Sequence, residues 1–228
     1  MERSGGGLLR LTLVCATDAP VFVAVVCACG LTRVKEVFSF CLMEDEHLCG
    51  TPWLSLREKV VRRGDGSEKR WTYARREGTA GAVCVLAHAG GPTPRLLLVR
   101  QFRPPVGREV LEFPAGLLDE GESAEQAALR ELREETGWIG EVVRVGPRIP
   151  SSPGMTDEWV CMVEVRLTHA EDAAPDGDEA ITPVWLECRG LRERLEAIDK
   201  EGVMIDAKLW SFAVGTASSE GGGKDADA

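Results

Sequence analysis

Three carboxylates crowd one short stretch of this chain. Glu131, Glu134 and Glu135 stand three and four residues apart, a spacing that gathers side chains on one face of an α-helix. Like charges so placed repel by roughly a few tenths of a kcal/mol per pair, so helix stability alone does not account for them. A divalent cation reverses the sign of that interaction. Carboxylate oxygens are hard ligands suited to Mg²⁺, which keeps part of its water shell and also binds substrate phosphates. Arg130 has Glu122 eight residues before it and Glu134 four after it, so its guanidinium can brace the acids as a fixed cation. A lone E-x-x-E pair would read as a solvated helix face; the chemical reading rests on the larger pattern around it.

The helix that must carry these acids has its own signals. Ser123 followed by Gln126 predicts a capping box at its start, and Gly137 falls where a left-handed cap would end it. Ala124, Ala127, Ala128, Leu129 and Leu132 supply helix-forming and apolar positions between. Upstream, residues 53–75 predict a hairpin, because two strand-like runs flank RGDGS and Asp65-Gly66 is a strong turn signal. TAGAVCVLAH and RLLLVRQ predict two further strands, and REVLEF a short one leading into the Pro114-Ala115-Gly116 turn. Strands near 141–145, 158–167 and 182–187 are expected next, then helices near 190–201 and 206–216. Mixed strands with a central helix and later helices predict an α/β sandwich.

From Gly116 to Trp138 the chain reads G-x5-E-x7-R-E-U-x-E-E-x-G-U, with U a bulky apolar residue. This resembles the Nudix box at every defined position, and the chain is identified on it as a member of the Nudix hydrolases. The flanks narrow the resemblance. RQFRPPVGREVLEFPAGLLDEGE is similar to the approach to the box in ADP-sugar pyrophosphatases, and Pro153 lies sixteen residues past Gly137 as in that group. The likeness spans roughly residues 35–216. It implies a Nudix α-β-α sandwich with a mixed sheet, plus an N-terminal β region used for dimerisation. The implied divisions are an atypical extension at 1–34, the β region at 35–76, the Nudix domain at 77–216 and a disordered polar tail at 217–228.

The resemblance also assigns roles. Glu131 and Glu135 are expected as metal ligands, with Glu134 able to hold a second ion and the Ala115 carbonyl completing the set. The expected cofactor is Mg²⁺, with Mn²⁺ able to substitute. Arg130 braces the cluster. Arg103 and Arg76 match substrate-contacting arginines whose planar forks suit phosphate oxygens, and Glu112 either orients substrate or supports the site. Trp53 and Trp71 match two tryptophans that sandwich adenine from different subunits, which implies a homodimer. The general base corresponds to Glu179, with Asp178 and Glu158 as rivals. Ser151-Ser152 departs from the group's pattern before the proline and leaves the preferred sugar open. The implied reaction is Mg²⁺-dependent hydrolysis of ADP-ribose and related ADP-sugars to AMP and a sugar 5-phosphate. Two alternatives stay open: a Nudix hydrolase of oxidised nucleoside diphosphates or dinucleotides, and a non-catalytic nucleotide-binding Nudix module.

Composition bounds these readings. With 228 residues and a net charge of −10, the chain can bury a sizeable core and lacks the basic balance of a nucleic-acid-binding surface. A polyphosphate substrate then needs local cations, for which Arg76, Arg100 and Arg103 are candidates. Neither nucleic acid nor membrane is an expected partner. The eight cysteines include no C-x2-C pair, so free thiols in a reducing compartment are expected in place of a zinc site. The apolar run Ala19–Cys29 is too short to span a bilayer, although an N-terminal targeting segment stays open. The expected location is cytoplasmic, with a nuclear one also open.

Overall fold

The computed structural model describes residues 41–79, 81–171 and 180–221, with side chains placed over 45–217 within those stretches. The expected extension at 1–34 lies outside the described residues. In chain order the elements are β1 (Cys41–Gly50), β2 (Leu54–Arg62), β3 (Glu68–Arg76), β4 (Ala82–Ala89), β5 (Arg95–Arg103), β6 (Arg108–Glu112), β7 (Ala115–Leu117), α1 (Ala124–Thr136), β8 (Trp138–Pro150), β9 (Trp159–Ala170), β10 (Thr182–Glu187), α2 (Leu191–Lys200), β11 (Met204–Ile205) and α3 (Ala207–Gly221). The described chain forms two units, one taking in the residues up to Gly50 with Leu56–Tyr73, the other Thr51–Ser55 with Ala74 onward.

The smaller unit carries a three-stranded sheet in the order β1-β2-β3. The β2–β3 hairpin turns where Asp65-Gly66 predicts. Gly66 takes φ 81°, a conformation open to glycine at no steric cost, and the Ser67 N–H donates to Asp65 Oδ1 at 2.8 Å. Tyr73 is buried; its hydroxyl donates to Asp45 Oδ1 at 3.0 Å, beside the Arg57 Nε that donates to the same oxygen at 3.0 Å.

The larger unit is built on a mixed eight-stranded sheet whose main path runs β11-β6-β5-β4-β9-β8, with β10 on β5 and β7 on β4. Alternation along the central strands assigns its two faces. Val83, Val85 and Ala87 of β4 and Leu97 of β5 pack with Ala127, Ala128 and Leu132 of α1. Cys84, Leu96 and Leu98 point the other way, onto Leu191 and Leu195 of α2 and Leu209 and Ala213 of α3. This is an α-β-α sandwich. Helices on both faces explain why Leu96, Leu97, Leu98 and Val99 are all buried, a continuous apolar run where a half-exposed strand would alternate. Each such leucine contributes about 2 kcal/mol on burial.

The central strand is shared between two partners, and this places the site. At one end of β4, Ala87 and Ala89 pair with Leu97 and Arg95 of β5. At the other, Ala82, Val83 and Cys84 pair with Leu117, Gly116 and Ala115 of β7. The Pro114 carbonyl accepts from the Val85 N–H at 2.7 Å where the partners change.

Three features differ from expectation. Strands β8 and β9 are longer than 141–145 and 158–167, because they pair from Trp138↔Ala170 to Pro150↔Trp159 through three register shifts; each irregularity breaks the period-two pattern by which a strand is read. Strand β1 falls within the β region expected at 35–76 but was not read from its own residues, since CLMEDEHLCG lacks an alternating pattern. Helix α3 runs through Gly221, into the segment expected as a disordered tail from 217. Among the described residues no helix is long and apolar enough to cross a membrane, and Cys49, Cys84 and Cys161 are free thiols.

Candidate active site

Helix α1 is fixed at both ends by its own sequence. Ser123 Oγ accepts from the Gln126 N–H at 3.3 Å and Gln126 Oε1 accepts from the Ser123 N–H at 3.0 Å, the reciprocal capping box. Gly137 takes φ 71° and donates its N–H to the Arg133 carbonyl, closing the last turn. The helix buries Ala127, Ala128, Leu132 and Glu135. A carboxylate on an otherwise apolar stripe is costly unless something compensates its charge.

Glu135 is 8% exposed, and its Oε2 accepts from the Ala115 N–H at 3.1 Å. Burial pushes its carboxyl up to about 8, with Glu131 and Glu112 adding to the rise and the Ala115 hydrogen bond opposing it. Burial also raises Glu131, against the pull of Arg130. Glu131 lies against Gly116 so closely that a Cβ there would meet its Oε1 at 1.8 Å. Only glycine admits the carboxylate at that point on β7.

Arg130 ties the acids together. Its Nε and Nη2 donate to the two oxygens of Glu122 at 3.0 and 2.9 Å, its Nη1 to Glu131 Oε1 at 2.7 Å and to Glu134 Oε2 at 3.1 Å, and its Nη2 also to the Leu117 carbonyl at 2.9 Å. Hydrogen bonding to Glu122 first, then to Glu131 and Glu134, raises Arg130 further above its ordinary range; the same pairing holds Glu122 below the usual carboxylate range. Among the described residues no three acidic, histidine or cysteine side chains are already arranged to hold a metal ion. Arg130 and the Ala115 N–H each engage these acids, with one oxygen of Glu131, of Glu134 and of Glu135 taken up.

The expected substrate residues divide. Arg103 Nε donates to Glu112 Oε1 at 2.8 Å, so the buried Glu112 holds a guanidinium beside the acids. Arg76 Nε donates to Glu158 Oε1 at 3.0 Å, and the Ser151 hydroxyl donates to Glu158 Oε2 at 2.9 Å. Both Glu158 oxygens are engaged, which suits a residue that positions Arg76 better than a base. Glu179 and its rival Asp178 lie outside the described residues. Trp53 is 76% exposed and Trp71 43%, with Lys69 Nζ 4.3 Å from a Trp71 ring centroid.

Sequence reasoning missed a cleft of about 340 Å³ lined by Arg75, Arg76, Thr79, Gly81 and Trp159 among others. The Arg75–Asp157 pair at 2.6 Å and the Arg76–Glu158 pair set two neighbouring arginines against two neighbouring acids. That charge-complementary pair of runs, Arg75-Arg76 and Asp157-Glu158, was the signal available. The half-buried pair of Lys208 and Asp206, 2.9 Å apart, was also missed. Burial works against the charge on Lys208, and the pairing with Asp206 outweighs it, so the ammonium is held above its ordinary range.

Residues 77–205 match the NUDIX domain family, which is more than half of the chain. The chain belongs to the Nudix family. Among relatives, the Nudix chain is 32% identical over 176 residues to the ADP-ribose pyrophosphatase of Saccharomyces cerevisiae, covering 72% of this chain and 76% of that one. It is 39% identical over 127 residues to the ADP-sugar pyrophosphatase of Mus musculus, covering 52% and 58%. A crystal structure of an ADP compounds hydrolase superposes with a TM-score of 0.64 at 21% identity, over 82% of this chain and 98% of that one, a likeness of fold. Nudix membership brings a divalent-metal requirement with it, and the residues present fit one. The acids on α1 are hard oxygen donors, the glycine cradle admits Glu131, and the buried Glu135 lacks a full counter-charge.

Proposed function

We propose that this Nudix chain hydrolyses the diphosphate bond of ADP-ribose and related ADP-sugars, adding one water to give AMP and a sugar 5-phosphate, with Mg²⁺ as its metal and Mn²⁺ able to substitute. The observation that carries the reading is similarity to relatives named as ADP-ribose and ADP-sugar pyrophosphatases. The site's chemistry is consistent with it. Glu131 and Glu135 with the Ala115 carbonyl would hold the metal, and Glu134 a second ion. When bound, the metal supplies Lewis-acid polarisation of the phosphoryl oxygens.

The protein's own groups do the rest. Arg130 holds Glu122, Glu131 and Glu134 in fixed positions, so little reorganisation is needed at the moment of reaction. Arg103, oriented by Glu112, presents N–H donors to a phosphate oxygen. Arg76, oriented by Glu158, contacts the substrate, its fork suited to phosphate oxygens, and Trp53 and Trp71 stack on adenine. Glu179 takes the proton from the attacking water. The test is product release from purified protein: AMP and ribose 5-phosphate in equal amounts from ADP-ribose with Mg²⁺. No AMP from any ADP-sugar with either metal ends the reading.

A further inference from the structure

Trp159 opens β9 and packs on the α1 side of the sheet. Its indole is held by the residue before β4 and by a side chain of β8. Gly81, just before β4, has φ +144°, and a Cβ on it would lie 2.4 Å from Cε2 and 2.7 Å from Cδ2 of the ring. Those two atoms share the bond that fuses the two rings, so the glycine backbone lies over the indole and not at its rim. Arg148 of β8 sets its guanidinium carbon 4.2 Å from the ring centroid, a cation–π contact. A side chain held in this way is a fixed surface and not a mobile one.

That surface belongs to the cleft, where it stands among two arginine–carboxylate pairs as the large apolar component. The cleft is tied to the acid site at one end: the Leu118 N–H donates to the Gly81 carbonyl at 3.0 Å, and the Thr79 hydroxyl donates to the Leu118 carbonyl at 3.0 Å. Leu118 directly follows β7, which carries Ala115 and Gly116. At the other end, the Glu77 N–H donates to the carbonyl of Trp53 at 3.0 Å. A substrate with its diphosphate at the acids and its base near Trp53 lays the nucleoside half along this wall.

We propose that Trp159 is a substrate-binding residue: a rigid indole, its ring covered by Gly81 and Arg148, whose rim in the cleft forms a wall against which the nucleoside half of the substrate rests. The inference rests on the ADP-sugar reading above. The wall meets the part that all ADP-sugars share, so it sets affinity for the nucleoside and is indifferent to the sugar.

The test compares wild type, W159L, W159F and R148A on ADP-ribose and ADP-glucose with Mg²⁺, after circular dichroism and melting confirm the fold. In W159L, KM should rise by at least about tenfold, by the same factor for both substrates, with kcat within about threefold, the pattern of lost uniform binding. W159F, which keeps an aromatic wall, should return KM to within about threefold of wild type. Half-activation by Mg²⁺ should stay unchanged. An unaltered KM in folded W159L, a rise for one sugar alone, or a fall in kcat with KM constant overturns the proposal. Should W159L not fold, R148A decides, because it loosens the clamp without changing the cleft lining; a KM equal to wild type overturns the proposal there too. Wild type that releases no AMP from either substrate removes this inference with the function it rests on, whereas active wild type with an indifferent Trp159 removes this inference alone.

Discussion

Glu135 answers two opposing demands. Its carboxyl is buried on the apolar stripe of α1 and pushed up to about 8, which favours the neutral form. The proposed role as a metal ligand requires the charged form. An amide of the same shape separates the two: Glu135→Gln keeps an oxygen for the Ala115 N–H and removes the charge. The variant should fold with a melting temperature at or above that of wild type and lose turnover by at least about 100-fold, the scale seen when a group that stabilises transition-state charge is removed. A folded variant hydrolysing ADP-ribose at the wild-type rate would show that Glu135 holds no metal. Residues of this kind were legible because their partners are local. Glu131, Glu134 and Glu135 meet through helix geometry, and Arg130 reaches Glu122 from eight residues away. The partner of Arg76 is Glu158, 82 residues on, and strand pairing, not spacing, brings them together. Charge type at those positions was readable; the pairing was not.

At the scale of elements, the site depends on how closely β7 and α1 approach. Gly116 sets that distance, since a Cβ there would sit 1.8 Å from Glu131 Oε1. The obstructing atom ends a flexible side chain, so Gly116→Ala should leave the fold standing and force the carboxylate to swing away. The Mg²⁺ concentration for half-activation should rise about tenfold, the scale on which residues that orient metal ligands act. Ser123→Ala is the control, because it weakens the same helix by about 1 kcal/mol through its cap without touching an acid. Its melting temperature should fall while its Mg²⁺ activation curve stays put. If both variants shift the curve alike, helix stability and not the glycine cradle governs the site. The start and end of α1 were legible from Ser123, Gln126 and Gly137 because caps are local chemistry. The extents of β8 and β9 were not, because their register shifts between Ile139 and Gly140, Val142 and Arg144, and Val145 and Arg148 scramble alternation.

For the whole molecule, the sandwich was legible in the mix of strands with a central helix and later helices, and the burial of the whole run Leu96–Val99 shows the cover on both faces that it requires. The order of strands was not, because β4 divides its length between β5 and β7, a long-range choice that leaves no local mark. Assembly lies beyond a single chain, and the two tryptophans make it testable. Trp53 and Trp71 are both substantially exposed, and a tryptophan ring can stack on a base. If adenine is stacked between Trp53 of one protomer and Trp71 of its partner, the two-fold symmetry of the dimer gives each molecule two such sites. Trp53→Ala and Trp71→Ala homodimers would each be defective at both. A mixed dimer would have one site lacking both rings and one site with both rings intact. Unfolding and refolding the two variants together in equal amounts should therefore recover activity at low ADP-ribose to about a quarter of the wild-type level, since random pairing makes half the dimers mixed with one good site in each. Refolding each variant alone should recover none. Failure of the mixture to exceed the average of its components, with mixed dimers verified by mass, would mean that the two rings do not serve one site across the interface.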